Sequence, residues 1–364
     1  MDYSDIKFST RSNSEFFNTL RSRVQAHFKE NNITRFGNYK MVLKTIALLA
    51  MYFVPYFLMI FDVFSSLWIQ AALWIIMGFG MAGIGFSVMH DANHGAYTKN
   101  ATINKLLGLL ANILGASATN WKIQHNVLHH SYTNVSGIDE DISPGGIMRF
   151  SPHQKRHKAH KYQHLYAWFL YALMTLQWST VKDFKQLFRY KRMGLTKKVD
   201  KNFNKLFIQL LISKVVYYGY LIVLPLVVTS TPWYFIILFY VIMHFVAGFL
   251  LAIVFQPAHV VPTSEFPLPD ETGQMDNNWA IHQLLTTANF APKNKLLSWY
   301  VGGLNFQIEH HLFPNVCHVH YKNLSKIVKK TAEEYGIPYH VMPTFRNAIA
   351  QHAKLLHDFG TGVK

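Results

Sequence analysis

Two long apolar runs, residues 41–89 and 206–256, interrupt a chain that is otherwise polar or mixed. A membrane crossing takes about 20 apolar residues, so each run has room for two. The first run breaks at Asp62–Ser65 and the second at Thr229–Pro232, which predicts spans at 41–61, 66–89, 206–228 and 233–256. Trp68, Tyr217, Tyr218, Trp233 and Tyr234 suit the aromatic belts at membrane interfaces. A further apolar stretch, 101–118, is shorter and contains Gly and Asn, which predicts a re-entrant or interfacial helix rather than a fifth span. Helical periodicity dominates elsewhere and no strand pattern persists, so the expected class is an all-α membrane protein with four transmembrane helices.

Charge gives this layout a direction. The 364 residues include 35 Lys and Arg against 19 Asp and Glu, although half the chain is hydrophobic. The 28 Phe, 19 Tyr and 8 Trp exclude disorder, and a single cysteine, Cys317, excludes a disulfide scaffold. By segment, the basic residues number 7 in 1–40, 1 in 41–89, 17 in 90–205, 1 in 206–256 and 9 in 257–364. Neither short connection between paired spans carries Lys or Arg. The positive-inside rule therefore puts both termini and the polar segments 131–205 and 257–345 in the cytoplasm. Residues 1–36 are polar, with no cleavable signal pattern, and read as a cytoplasmic leader. The expected body of the protein is 37–345, followed by a cytoplasmic tail, 346–364. The basic face can meet anionic lipid, the phosphates of coenzyme A (through Lys182, Lys185 and Arg189) or an acidic electron donor. Nucleic acid is not an expected partner of a four-span protein.

Histidine supplies the candidate chemistry. Of 20 histidines, seven fall in three clusters: His90 and His94 at the end of the second span, His125, His129 and His130 after the re-entrant stretch, and His310 and His311 after the fourth span. On a helix, i and i+4 share a face, so His90 faces His94 and His125 faces His129. His130 is turned by about 100° from His129, which lets adjacent histidines serve different metals. Neutral imidazole suits iron, zinc or copper, and seven ligands exceed a single zinc site, so the count points to two metal ions.

These boxes, HDANH, HNVLHH and QIEHH, together with the span pattern, resemble the integral-membrane fatty acid desaturases of the histidine-box superfamily over residues 37–345. Gln307 in the third box resembles front-end desaturases, the linoleoyl-CoA or Δ6 type. The resemblance implies a cytoplasmic helical cap holding a di-iron site, with O2 as co-substrate. It also implies a further ligand near the end of the fourth span, which is His259 in the run FQPAHVV. Gln256 and Gln307 become additional or water-mediated ligands. Asp91, Asn126 and Glu309, beside the ligands, are candidates to orient them, and Trp121 and Asn305 could line the site. No haem motif of a fused cytochrome b5 domain is present; Ser143–Gly146 reads SPGG. The implied donor is a separate protein, ferredoxin or cytochrome b5 with its reductase, in a bacterial inner membrane rather than the endoplasmic reticulum.

The expected reaction is O2-dependent insertion of a cis double bond into a long-chain, polyunsaturated acyl chain towards its carboxyl end, on acyl-CoA or acyl-lipid. Removing hydrogen from an unactivated methylene needs a metal that activates O2. A histidine-box fatty acid or alkane hydroxylase is the alternative, and a non-catalytic metal-binding or transport protein a third reading. Other histidines read differently. His153, His157, His160 and His164 predict one face of a basic helix on the membrane surface, His318 and His320 local structure, and His244 a hydrogen-bonded group within a span.

Overall fold

The computed structural model describes residues 3–9 and 14–364, so part of the leader (1–2 and 10–13) lies outside the described residues. In chain order the main helices are α1 (Ser14–Glu30), α2 (Tyr39–Ile60), α3 (Leu67–Asn93), α4 (Ala101–Ile113), α5 (Ala118–His129), α6 (Gln163–Ala172) and α7 (Asp183–Arg192). Then come α8 (Phe203–Val228), α9 (Trp233–His259), α10 (Trp279–Thr286), α11 (Gln307–Leu312), α12 (Tyr321–Glu334) and α13 (Phe345–Thr361). Polar side chains start many of them by taking free backbone N–H groups: Asn38 at α2, Asn100 at α4, Ser117 at α5, Asn278 at α10 and Thr344 at α13.

Helices α2, α3, α8 and α9 are each long and apolar enough to cross a membrane. The α4–α5 pair would make a fifth span, but it bends by 110°. The helices outrun the apolar runs. α3 continues to Asn93 and α9 through Pro257 to His259, so both end inside histidine motifs.

The residues group into two compact units, one of 38–123 with 168–253 and one of 1–37, 124–167 and 254–364. In the first, α2 packs on α3 closely enough that a Cβ on Gly80 would stand 2.8 Å from the Tyr52 backbone nitrogen. Ile208, Leu211, Ile212, Val215 and Val216 of α8 stay exposed, the surface a lipid-facing helix presents. Among them Lys214 is buried and hydrogen-bonds Asp183 of α7 at 2.6 Å and the Gly115 and Trp178 carbonyls at 2.7 Å each. Gly115, at φ +85°, makes the turn between α4 and α5, with the Tyr217 ring where a side chain would begin.

His244 is the buried, hydrogen-bonded group expected, held by Tyr217 Oη at 2.5 Å and Thr175 Oγ1 at 3.0 Å. Tyr217 departs from its expected place in an aromatic belt, because this bond buries it completely. Trp68, Trp233 and Tyr234 are exposed, as belt residues are.

In the second unit α1 packs along α12, and Phe16, Leu20 and Val24 meet Leu324 and Val328 in one apolar cluster. Two parallel pairs of two-residue strands tie distant segments together: β1 (Lys7–Phe8) with β2 (Gln274–Met275), and β3 (Asn289–Phe290) with β4 (Val341–Met342). α13 is docked through His352 to the Val260 carbonyl at 2.7 Å and through Gln163 to that of Leu356 at 2.6 Å. The basic helix expected through His153–His164 does not form as one element. Lys158–Tyr162 is a short 3-10 turn preceding α6, and His160 is buried against the Gly146 carbonyl. Carbonyls that a helix would use are taken by side chains: Arg149 Nη2 reaches Pro152 O at 2.6 Å and its Nε reaches Gln154 O at 2.9 Å.

Candidate metal centre

Within the second unit, the ends of α5 and α9 and the short helix α11 bring six histidines together. The last eight residues of α5, Lys122–His129, are a π-helix, and the His130 N–H bonds back five residues to the His125 carbonyl at 3.0 Å. The wider turn swings His130 onto the face that holds His125, and their Nε2 atoms lie 3.2 Å apart. On an ordinary helix these two would diverge. His130 Nε2 also lies 2.9 Å from His310 Nε2 of α11. The ligand atoms of His129, His259 and His311 lie within 4.8 Å of one another, as do those of His130, His310 and His311.

Each ring is held from behind. His129 Nδ1 lies 3.1 Å from Asp139 Oδ2 and 3.3 Å from Asp141 Oδ2. Burial alone would lower the pKa of His129, but the two carboxylates outweigh it and raise it. Burial likewise works against an ionised Asp139, but His129 and the N–H groups of Asn134 and Asp141 bring its pKa below the ordinary value. His259 Nδ1 donates to the Thr286 carbonyl at 3.3 Å and His311 Nδ1 to Gln283 Oε1 at 2.8 Å, while the Tyr321 hydroxyl lies 3.2 Å from His310 Nδ1. Four histidines are thus engaged at Nδ1, the arrangement by which metal proteins fix tautomer and ring direction.

Donor chemistry fits a metal. The buried Nε2 atoms of His129 and His259 have no hydrogen-bond partner among the described residues, an expensive state for a lone pair unless a cation takes it. His130 Nε2 carries at most one proton and cannot donate linearly to two Nε2 neighbours at once. Buried Gln307, beside this cluster in sequence, has neither amide atom hydrogen-bonded among the described residues. Gln256 donates to the Asp141 carbonyl at 3.0 Å.

His90 and His94 stand together in the first unit, ring centroids 4.8 Å apart, each edge-on to Trp121 at 5.6 and 5.7 Å. They follow a π-helical stretch, Ile84–Met89, in α3. Asp91 is buried with Oδ1 3.3 Å from His90 Nδ1. Asn126 is half-buried on α5. Glu309 is buried and bound by Asn289 and Tyr339, both at 2.8 Å, and burial raises its pKa to about 7 against their pull. The buried Asn305 amide donates to the Phe290 carbonyl at 3.1 Å. His318 and His320 make the local structure expected, a 3-10 turn in which His320 Nε2 lies 3.0 Å from the Phe36 carbonyl.

Asp139 and Asp141 are not among the orienting groups expected from the sequence. Their nearness to the second box was the available signal. Gln283, Thr286 and Tyr321 gave none, since they are common residues at no diagnostic spacing.

Clustered histidines consistent with a binuclear metal site, in a multi-span helical membrane protein, define the class. The family model for fatty acid desaturase matches residues 66–343, and the chain belongs to that family. It is 36% identical to the sn-1 linoleoyl-lipid 6-desaturase of Arthrospira platensis, over 92% of this chain and 90% of that one. It is 35% identical to the protein of the same name from Synechocystis sp., over 98% of each chain. It is also 37% identical to an acyl-lipid (8-3)-desaturase of Physcomitrium patens, over 98% of this chain and 74% of that one. The chain is a membrane oxidoreductase, a fatty acid desaturase that uses O2 and a metal cofactor.

Proposed function

We propose that this protein is a front-end desaturase that introduces a cis double bond towards the carboxyl end of a polyunsaturated acyl chain carried on a membrane lipid, with acyl-CoA as the other possible carrier. The observation that carries the reading is the set of Nε2 atoms brought together by rings held at Nδ1, in a chain similar over nearly its whole length to acyl-lipid desaturases. The proposed iron ligands are His90, His94, His125, His129, His130, His259, His310 and His311, with Gln307 and Gln256 in contact through water. We place this centre and both termini on the cytoplasmic side of four spans, in a bacterial inner membrane, with 37–345 as the desaturase domain.

Held by these histidines, two irons would supply the oxidising power, with O2 and two electrons, to remove hydrogen from two adjacent methylenes. The stoichiometry is –CH2–CH2– + O2 + 2 e⁻ + 2 H⁺ → –CH=CH– + 2 H2O, with the electrons from a separate protein. The protein's share is to hold and orient the imidazole donors. Asp139, Thr286, Gln283 and Tyr321 keep their rings aimed inward, and the depth of burial keeps bulk water away.

Expression in a host fed linoleic acid, followed by mass-spectrometric location of new double bonds, tests the reading. A triene with its new bond on the carboxyl side of the existing pair supports it. Hydroxylated acids as the main product would replace it with the hydroxylase alternative.

A further inference from the structure

Helix α12 links the histidine cluster to an exposed charged face. Its first residue, Tyr321, is buried with its hydroxyl 3.2 Å from His310 Nδ1. Lys322, Lys326, Lys329 and Lys330 follow at near-helical spacing, and all four are exposed. Lys329 has a weak partner, Glu333 at 3.7 Å, and Glu334 is taken by Arg23 of α1 at 2.6 Å. Lys322 and Lys326 take no ion pair among the described residues.

Two features select the occupant of this face. A helix that lies on a bilayer pairs its basic residues with exposed Trp, Phe or Leu. α7 does this, with exposed Phe188 among Lys185, Lys191 and Arg192. α12 exposes no large hydrophobic residue among the described residues. Its face is cationic at Lys322, Lys326 and Lys330, with Glu333 and Glu334 paired at the C-terminal end, as suits steering by an acidic protein. The second feature is the reaction's need for two electrons from outside, and α12 is the element that carries a surface charge stripe and a contact to a ligand histidine within two consecutive residues.

We propose that the lysine face of α12 docks a small acidic one-electron carrier protein, two copies of which, in successive encounters, would each be oxidised by one electron passed to the metal the histidines would hold. This rests on the desaturase reading above, in which the donor is a separate protein.

The test uses the full chain in detergent and an acidic [2Fe–2S] ferredoxin as probe. Binding of oxidised ferredoxin is measured at several salt concentrations for the wild type, K322E/K326E/K330E and the milder K322Q/K326Q/K330Q. The charge-reversed protein should bind about tenfold or more weakly and lose most of the salt dependence, with the neutral variant between. K197E/K198E/K201E, outside this face, should bind as the wild type does. The ratio of ferredoxin-driven to dithionite-driven turnover should fall in parallel. Equal affinity in wild type and charge-reversed protein, or an equal loss in the Lys197 control, would overturn the assignment and leave the lysines to anionic lipid. If no acyl product forms with either reductant, the functional reading fails while the binding measurements still decide the surface.

Discussion

His129 Nδ1 stands 3.1 Å from Asp139 Oδ2, and the same carboxylate accepts the backbone N–H of Asn134 at 2.9 Å. Asp139 is completely buried, so its charge is set by these partners. It makes the imidazole a stronger donor and points Nε2 at the other histidines. Asp139→Asn keeps the shape and removes the charge. Iron affinity, measured by retention against a competing chelator, should fall about 10- to 100-fold. Unchanged retention would separate this pair from metal binding.

Gln283 does for His311 what Asp139 does for His129, without charge. Its Oε1 accepts from His311 Nδ1 at 2.8 Å and from the Thr133 hydroxyl at 2.9 Å. Gln283→Leu removes the acceptor at His311 Nδ1, while the Thr133 hydroxyl keeps the His129 carbonyl at 2.7 Å. About a tenfold loss of iron affinity should follow, with Gln283→Glu recovering part of it. Equal loss in both variants would instead mean that packing alone matters at this position.

Lys214 and Asp183 form a buried pair that also ties down the Gly115 and Trp178 carbonyls. Removing one partner strands the other charge. Lys214→Met should cost about 3–5 kcal/mol, read as a lower Tm of the solubilised protein. The double variant K214M/D183L should be markedly more stable than K214M alone. Simple additivity of the two changes would show that they do not act as a pair.

Gly115 turns the chain between α4 and α5 with the Tyr217 ring atoms 2.7 to 3.0 Å from where a Cβ would stand. At φ +85° an alanine is also strained by about 1–3 kcal/mol. Gly115→Ala should lower Tm and, because α5 carries His125 and His129, lower iron occupancy as well. Adding Tyr217→Phe should not rescue it, since the clash is with ring carbons.

The spans were legible because lipid demands long apolar helices, and the pattern 41–61, 66–89, 206–228 and 233–256 matches α2, α3, α8 and α9 to within a few residues. The histidine boxes were legible because metal ligands need a rare residue at close spacing. Tyr217 was misplaced because a tyrosine in an apolar run looks alike whether it meets the interface or a buried His244. The His153–His164 series was misread for a similar reason: periodicity cannot show that Arg149 takes the Pro152 and Gln154 carbonyls there.

By itself, then, the sequence determined the membrane class, the three histidine boxes and the asymmetry of charge. All follow from local composition and spacing. The tertiary structure decided how the boxes meet. The π-helical turn that swings His130 onto the His125 face depends on one shifted backbone hydrogen bond. The groups that aim the rings, Asp139, Tyr321, Thr286 and Gln283, lie 10, 11, 27 and 28 residues from the histidines they serve, on loops and helices that only packing brings to one cluster. Spacing along a chain carries no record of such contacts, because they form only when separate elements pack and bury their polar atoms together.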